Sequence, residues 1–204
     1  MKLSASQRAS MSKAAQHYHQ YVAAAASYLE ERGLWDEELV GTFLLGVVVD
    51  PAPGHEAYRG RLSIPYVTPS GVVNFRFRSL DGRGPKYLGP GAATNLFNVM
   101  ALHQPGSLAV VCEGELDAVA ATAAGLIAVG VPGAQAWKAH YARLLQEYER
   151  VIVAADGDEA GANLGAVVKS AIEHAEVRLM PDGHDVNSFL LERGEDAFYE
   201  WIAA

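Results

Sequence analysis

The spacing of apolar positions changes twice along the chain. Over the first thirty or so residues, Tyr18, Tyr21, Val22, Ala25, Tyr28 and Leu29 fall three and four apart, which predicts an amphipathic helix with one buried face. Gly33 then ends it. His17 and His19 stand two apart, on different sides of such a helix, and read as surface residues rather than a metal pair. From Val47 the pattern becomes short alternating runs, Val47–Val49, Leu62–Val67 and Val72–Phe77, with Pro51, Pro53, Pro85 and Pro90 marking loops. Thr68-Pro69-Ser70-Gly71 between the last two runs predicts a hairpin. Alternation along Phe75–Arg78 predicts both Phe rings inward and both Arg side chains outward.

After Pro105-Gly106 the runs stop alternating. Leu108–Cys112, Leu126–Val129, Val151–Ala154 and Val177–Met180 are continuously apolar, separated by helical stretches at Leu116–Ala124, Ala136–Glu147 and Asn163–His174. Strands covered on both faces read this way, so the expected fold is α/β: a parallel sheet flanked by helices, preceded by a small mixed α+β subdomain. The expected divisions are a helical lead-in over 1–32, the mixed subdomain over 33–106 and the sheet domain over 107–204. No apolar run approaches the ~20 residues that span a bilayer, and Val22–Ala26 is an Ala-rich helical stretch rather than a signal-peptide centre. A cytoplasmic location without a membrane partner is the expectation. The single cysteine, Cys112, excludes an internal disulfide and a thiolate-rich zinc site.

Charge sharpens the division. The net charge is −8, which argues against a polyanionic partner until its distribution is considered. Arg59, Arg61, Arg76, Arg78, Arg83 and Lys86 face one acid, Asp81, between positions 59 and 86, whereas from Ser107 onward six basic residues stand against sixteen acids. Cations for a phosphate chain and carboxylates for metal ions suit an enzyme acting on a polyanion; a solvated basic edge beside an acidic domain accounts for the charge alone equally well.

The acids fall where predicted strands end: Glu113-Gly114-Glu115-Leu116-Asp117, Asp156-Gly157-Asp158-Glu159-Ala160-Gly161 and Pro181-Asp182-Gly183-His184-Asp185. In a parallel sheet these positions gather at one edge, so Glu113, Asp156, Asp158 and Asp185 are expected to converge. Hard oxygen ligands of this kind suit Mg²⁺ or Mn²⁺. Each acid has an ordinary alternative as the cap of the next helix. A calcium loop competes for Asp156, Asp158 and Gly161, but Ala160 and Val167 stand where its further ligands belong. A phosphatase of the Asp-x-Asp kind leaves the Glu113 cluster unexplained.

Glu113-Gly114-x-x-Asp117 followed by Asp156-Gly157-Asp158 with Ala160-Gly161 resembles the signature of the Toprim domain shared by DnaG-type primases, topoisomerases, OLD-family nucleases, RecR and small ribonuclease maturases. Leu179–Leu190 resembles the third acidic motif of bacterial primases, with Asn187 where family members commonly have a further Asp. Upstream, Tyr28-Leu29-Glu30-Glu31-Arg32-Gly33-Leu34, Arg61–Tyr66, Phe75–Arg78, Pro85-Lys86-Tyr87-Leu88 and Asn95–Asn98 are similar in order and spacing to the amino-terminal half of the DnaG polymerase core. Topoisomerases, OLD nucleases and ribonuclease maturases are not expected to carry that half. The resemblance is therefore to a minimal primase core, phage- or plasmid-encoded.

That resemblance implies a DNA-directed RNA polymerase making short RNA primers on single-stranded DNA from ribonucleoside triphosphates. Asp156 and Asp158 become the principal ligands of Mg²⁺ or Mn²⁺, Asp185 holds a further ion, and Glu113 is a ligand or the general base. Asp117 supports its motif through hydrogen bonds, Asn187 is an auxiliary oxygen, and Gly114, Gly157 and Gly161 permit close backbone approach. Arg61, Arg78 and Lys86, then Arg76 and Arg83, are expected to hold template and triphosphate. Tyr66, Phe75, Phe77 and Tyr87 are the aromatic candidates for stacking on bases. Zinc is not expected. Neither a zinc-binding nor a helicase-binding domain fits in the chain, so either a replicative helicase or a separate zinc-binding protein acts in trans, or the core works without them, or the protein does something other than priming. The competing readings are a non-catalytic Toprim recombination mediator, which retained acids disfavour, and a Toprim nuclease, which the upstream half disfavours.

Overall fold

The structure, a computed structural model, describes residues 3–90 and 95–203. It forms two compact units, 1–93 and 94–204. In the first unit, α1 (Ala5–His19) is entered through a capping box: Ser4 Oγ accepts from Gln7 N and Gln7 Oε1 accepts from Ser4 N. The expected continuous lead-in helix is interrupted at Gln20 and Tyr21, continues as a 3₁₀ turn at Val22–Ala25, and resumes as α2 (Ala26–Glu30). Gly33 (φ 66) ends it, with Leu34 N donating back to Leu29 O. A short α3 (Glu37–Thr42), capped by Asp36, leads to an antiparallel sheet of β1 (Gly46–Val47), β2 (Leu62–Thr68), β3 (Gly71–Arg78) and β4 (Tyr87–Leu88), in that order. The hairpin falls at the predicted turn, pairing Thr68 with Gly71.

The lead-in is part of this unit. Ala14, Ala15 and Tyr18 of α1 share one core with Val48, Val72, Phe75 and Phe77, and Ser12 Oγ accepts from Val72 N. Both Phe rings of β3 point inward, as alternation required, and stack on each other. Phe75 and Phe77 are therefore core residues as expected from alternation, Tyr66 is buried as well, and these three stacking candidates are withdrawn. His17 and His19 are half-buried, and each ring bonds a backbone carbonyl, those of Asp50 and Leu45.

The second unit carries the predicted parallel sheet, β5 (Leu108–Cys112), β6 (Ile127–Gly130), β7 (Arg150–Ala155) and β8 (Glu176–Leu179), ordered β6-β5-β7-β8. Helices α4 (Glu115–Ala123), α6 (Glu159–Ala171) and α7 (Val186–Ala203) flank it, α7 bending at Gly194 (φ 80, ψ 174). The helix expected over Ala136–Glu147 is instead a series of short turns closing in a single turn of α5 (Ala142–Leu145). Lys138 is extended (φ −123, ψ 138) and breaks it, while Trp137, Tyr141 and Leu145 all reach the core. Residues 95–107, expected with the first half, run with the second unit, where Phe97 pairs with Gly130. Among the described residues no helix is long and apolar enough to cross a membrane.

Candidate functional site

Strand order decides which acids become neighbours. β5 and β7 lie side by side with Cys112 opposite Ala154. Glu113 leaves the end of one and Asp156 the end of the other. Both are half-buried, as is Asp117 in the first turn of α4. Cys112 reports the field they create: burial pushes its thiol far up, and the negative charges of Asp117 and Asp156 push it further. Two carboxylates, Asp117 in the first turn of α4 and Asp156 past the end of β7, thus act on the sulfur at the end of β5.

Asp117 has a definite structural partner. Its Oδ1 accepts from Asn187 N at 3.1 Å, joining α4 to the first turn of α7. The carboxylate also sets the residue beside it, since a Cβ on Gly114 would lie 2.5 Å from Asp117 Oδ2. At the next exit a Cβ on Gly161 would meet Asp156 O at 2.2 Å, and one on Gly157 would meet Met180 O at 2.9 Å. The glycines close the turns of the chain on itself.

Asp158 and Asp185 are turned to other work. Asp158 is exposed and caps α6, its Oδ1 accepting from Gly161 N at 2.9 Å. Asp185 caps α7 reciprocally: its Oδ1 accepts from Ser188 N at 2.7 Å, and its own N–H donates to Ser188 Oγ at 2.9 Å. Asn187 is buried behind it and Asp182 is exposed. All four acids follow the carboxyl ends of β5, β7 and β8. Among the described residues, however, no three acidic, His or Cys side chains sit close enough to share one metal ion. Capping holds two of the four toward their own helices.

The donor set still has a clear chemical character. Apart from His184, whose Nε2 lies 3.5 Å from Glu192 Oε2, the side chains at these exits with ligand capacity are hard oxygen donors, and Cys112 is a buried thiol whose burial disfavours the thiolate. Mg²⁺ and Mn²⁺ fit such donors better than zinc. Glu115, which sequence reasoning left without a role, is a carboxylate only 1% exposed in the first turn of α4; its place at a helix start, where backbone N–H groups point outward, is the signal that marks it.

In the first unit, Arg76 and Arg78 flank Tyr87, their guanidinium carbons 4.4 and 5.1 Å from its ring centroid, and Arg78 Nη1 donates to the Tyr87 hydroxyl at 2.6 Å. Arg61 Nη1 donates to Pro85 O at 2.9 Å, fixing the loop that carries exposed Lys86. Arg83 is exposed and pairs loosely with Asp81 at 3.7 Å; the Arg83 amide and the Ser79 hydroxyl hold the Asp81 carboxyl below its usual range. Tyr28 and Arg32 join this group unpredicted, and their one-turn spacing was the available clue.

Residues 110–190 match the Toprim-like family model. The Gene 57 protein of Mycobacterium phage D29 is 41% identical over 151 residues, 71% of this chain and 99% of that protein. The DNA primase of Clostridium acetobutylicum is 27% identical over 190 residues, 86% of this chain but 32% of the primase, so the chain spans about a third of that relative's length. A structure of a DnaG primase catalytic domain bound to ssDNA matches with a TM-score of 0.76 at 23% identity, covering 98% of this chain and 82% of that one. With acids at adjacent strand exits and relatives aligned across both units, the chain belongs to the family of DnaG-type primase catalytic cores, with its Toprim-like half at residues 110–190.

Proposed function

We propose that the protein is a DNA primase core, a DNA-directed RNA polymerase that joins ribonucleoside triphosphates into short primers on single-stranded DNA. The observation carrying this reading is the exit of Glu113 and Asp156 from neighbouring parallel strands, in a chain whose other unit also aligns with primases. Asp156, Asp158, Asp185 and Glu113 are the residues that would hold Mg²⁺ or Mn²⁺, which supplies stabilisation of the charge developing on the attacking and leaving oxygens. Glu113 is either such a ligand or the general base that takes the proton from the attacking hydroxyl. Asp117 orients the Glu113 turn through its bond to α7, and buried Asn187 serves as an auxiliary oxygen. Arg61, Arg76, Arg78, Arg83, Lys86 and Tyr87 bind the template and the incoming triphosphate. A replicative helicase or a separate zinc-binding protein supplies start-site choice and recruitment.

Primer synthesis on mixed-sequence single-stranded DNA, with four ribonucleotides and Mg²⁺ or Mn²⁺, tests the reading. Short labelled products are expected, falling by about 10²-fold or more in Asp156→Ala. Asp158→Asn separates ligand from cap. Asparagine caps as well as aspartate, so stability should stay within a few tenths of a kcal/mol while synthesis drops at least about tenfold. Unchanged synthesis would remove Asp158 from the ligand set. Degradation of labelled DNA without synthesis would assign a nuclease instead.

A further inference from the structure

Arginine and tyrosine alternate through five side chains of the first unit. Arg32 lies just past α2, its guanidinium carbon 4.1 Å from the centroid of the Tyr28 ring. Arg78 of β3 stands 5.7 Å from the same centroid and 5.1 Å from that of Tyr87, and Arg76 is 4.4 Å from Tyr87. Three like charges held this close repel one another, and the negative faces of two aromatic rings offset that repulsion. The two tyrosines act differently. The Tyr87 hydroxyl accepts a hydrogen bond from Arg78, whereas the buried Tyr28 hydroxyl lies near the Arg78 and Arg32 guanidiniums without a well-aligned hydrogen bond to either. Tyr28 contributes through the face of its ring, and it joins a cation from the helical segment to the cations of the sheet.

We propose that Tyr28 is a positioning residue for single-stranded DNA: its ring couples Arg32 to Arg78 and so fixes the spacing of the guanidiniums that meet a phosphodiester backbone. The proposal rests on the primase reading. Preorganising long cationic side chains lowers the ordering cost of binding, and a ring that accepts two cations does so without neutralising either. An acidic residue in its place would hold the arginines equally well but would cancel charge that phosphate contacts need.

The test is binding of a fluorescently labelled oligothymidylate to the full chain across a salt series, comparing wild type, Tyr28→Phe, Tyr28→Leu, Arg32→Gln and the Tyr28→Leu/Arg32→Gln double variant. Tyr28→Leu should weaken binding about fivefold at low salt and make the log–log salt slope shallower by roughly 0.7 to 1.4, one to two phosphate contacts. Tyr28→Phe keeps the ring face and should stay within about twofold of wild type. In the Arg32→Gln background the Tyr28→Leu effect should shrink, because part of it acts through Arg32. Should Tyr28→Leu unfold, Tyr28→Met fills similar volume without a π face and is read the same way. Wild-type slope and affinity in Tyr28→Leu, or an equal loss in Tyr28→Phe, overturns the positioning role and leaves the primase reading intact. A wild-type protein that binds no oligothymidylate overturns the template reading itself, and the positioning role with it.

Discussion

The antiparallel sheet β1–β4 and the parallel sheet β5–β8 each show four strands among the described residues, yet they carry charge in different places. Along β3 buried Val72, Phe75 and Phe77 alternate with half-buried Arg76 and Arg78, so charge emerges along the length of the strand. β5 and β7 are buried almost end to end, and charge appears only at their ends, at Arg150 where β7 begins and at Glu113 and Asp156 where the two strands stop. The cause is topological. A strand with one less-covered face, as β3 has, can line up cations in a row, which suits an extended polyanion; strands covered on both faces, as β5 and β7 are, expose charged groups only at their ends, which suits a reacting point.

The largest expected effect tests whether the two sheets stand on separate cores. Phe77 is fully buried between Tyr58, stacked at 4.1 Å and 11°, and Phe75 at 5.5 Å. Phe77→Ala should cost about 3–5 kcal/mol in urea unfolding. Amide exchange should accelerate across β2 and β3 while β5 and β7 keep their protection; equal acceleration in both sheets would break the comparison. Gly161→Ala makes the complementary test in the second unit. Its Cβ would fall 2.2 Å from Asp156 O, so the β7–α6 turn must move, at about 1–3 kcal/mol. Primer synthesis should fall by more than the stability loss explains, because the displaced residue is Asp156. Wild-type synthesis in Gly161→Ala would show that the turn tolerates displacement.

Much of this arrangement was legible in the sequence. The run Leu108–Cys112 became β5 residue for residue, since five apolar positions without alternation leave little but a covered strand, and the Thr68–Gly71 turn fixed the hairpin. Strand-end acids were legible for the same reason, by position. Which of them are occupied by structure was not. Asp117 bonds an amide seventy positions away, and whether Asp158 and Asp185 turn toward their helices depends on side-chain rotation that residue types leave open. The broken stretch at Ala136–Glu147 was equally hidden: its residues favour helix, and only Lys138 adopting an extended backbone among residues that pack into the core separates the turns. The Tyr28–Arg78 contact required knowing that α2 meets β3.

β8 is the exception that sharpens the comparison, being an edge strand of the parallel sheet that bears charge along its length. Glu176 receives Arg150 Nε at 3.1 Å and Arg178 Nη2 at 2.8 Å, and the same two arginines donate to the last carbonyls of α7, Arg150 to Ile202 O at 3.1 Å and Arg178 to Trp201 O at 2.7 Å. Those carbonyls have no partners within their own helix, so cations there serve as its cap. Hydrogen bonds from Arg150 and then Arg178 pull the Glu176 carboxyl down from 4.5 to about 2. A carboxyl whose pKa is lower in the folded state stabilises the protein fully above its unfolded value and loses that contribution as pH falls. The window therefore runs from about 4.5 down to about 2. Because the side chain is 40% exposed, screening limits the contribution to about 1 kcal/mol or less. Urea unfolding of wild type and Glu176→Gln should differ at pH 5.5 and converge toward pH 2.5, with the difference shrinking in high salt. A gap that persists unchanged at pH 2.5 would mean that Glu176 acts by packing, and that charge on this strand does no more for the parallel sheet than its exposure allows.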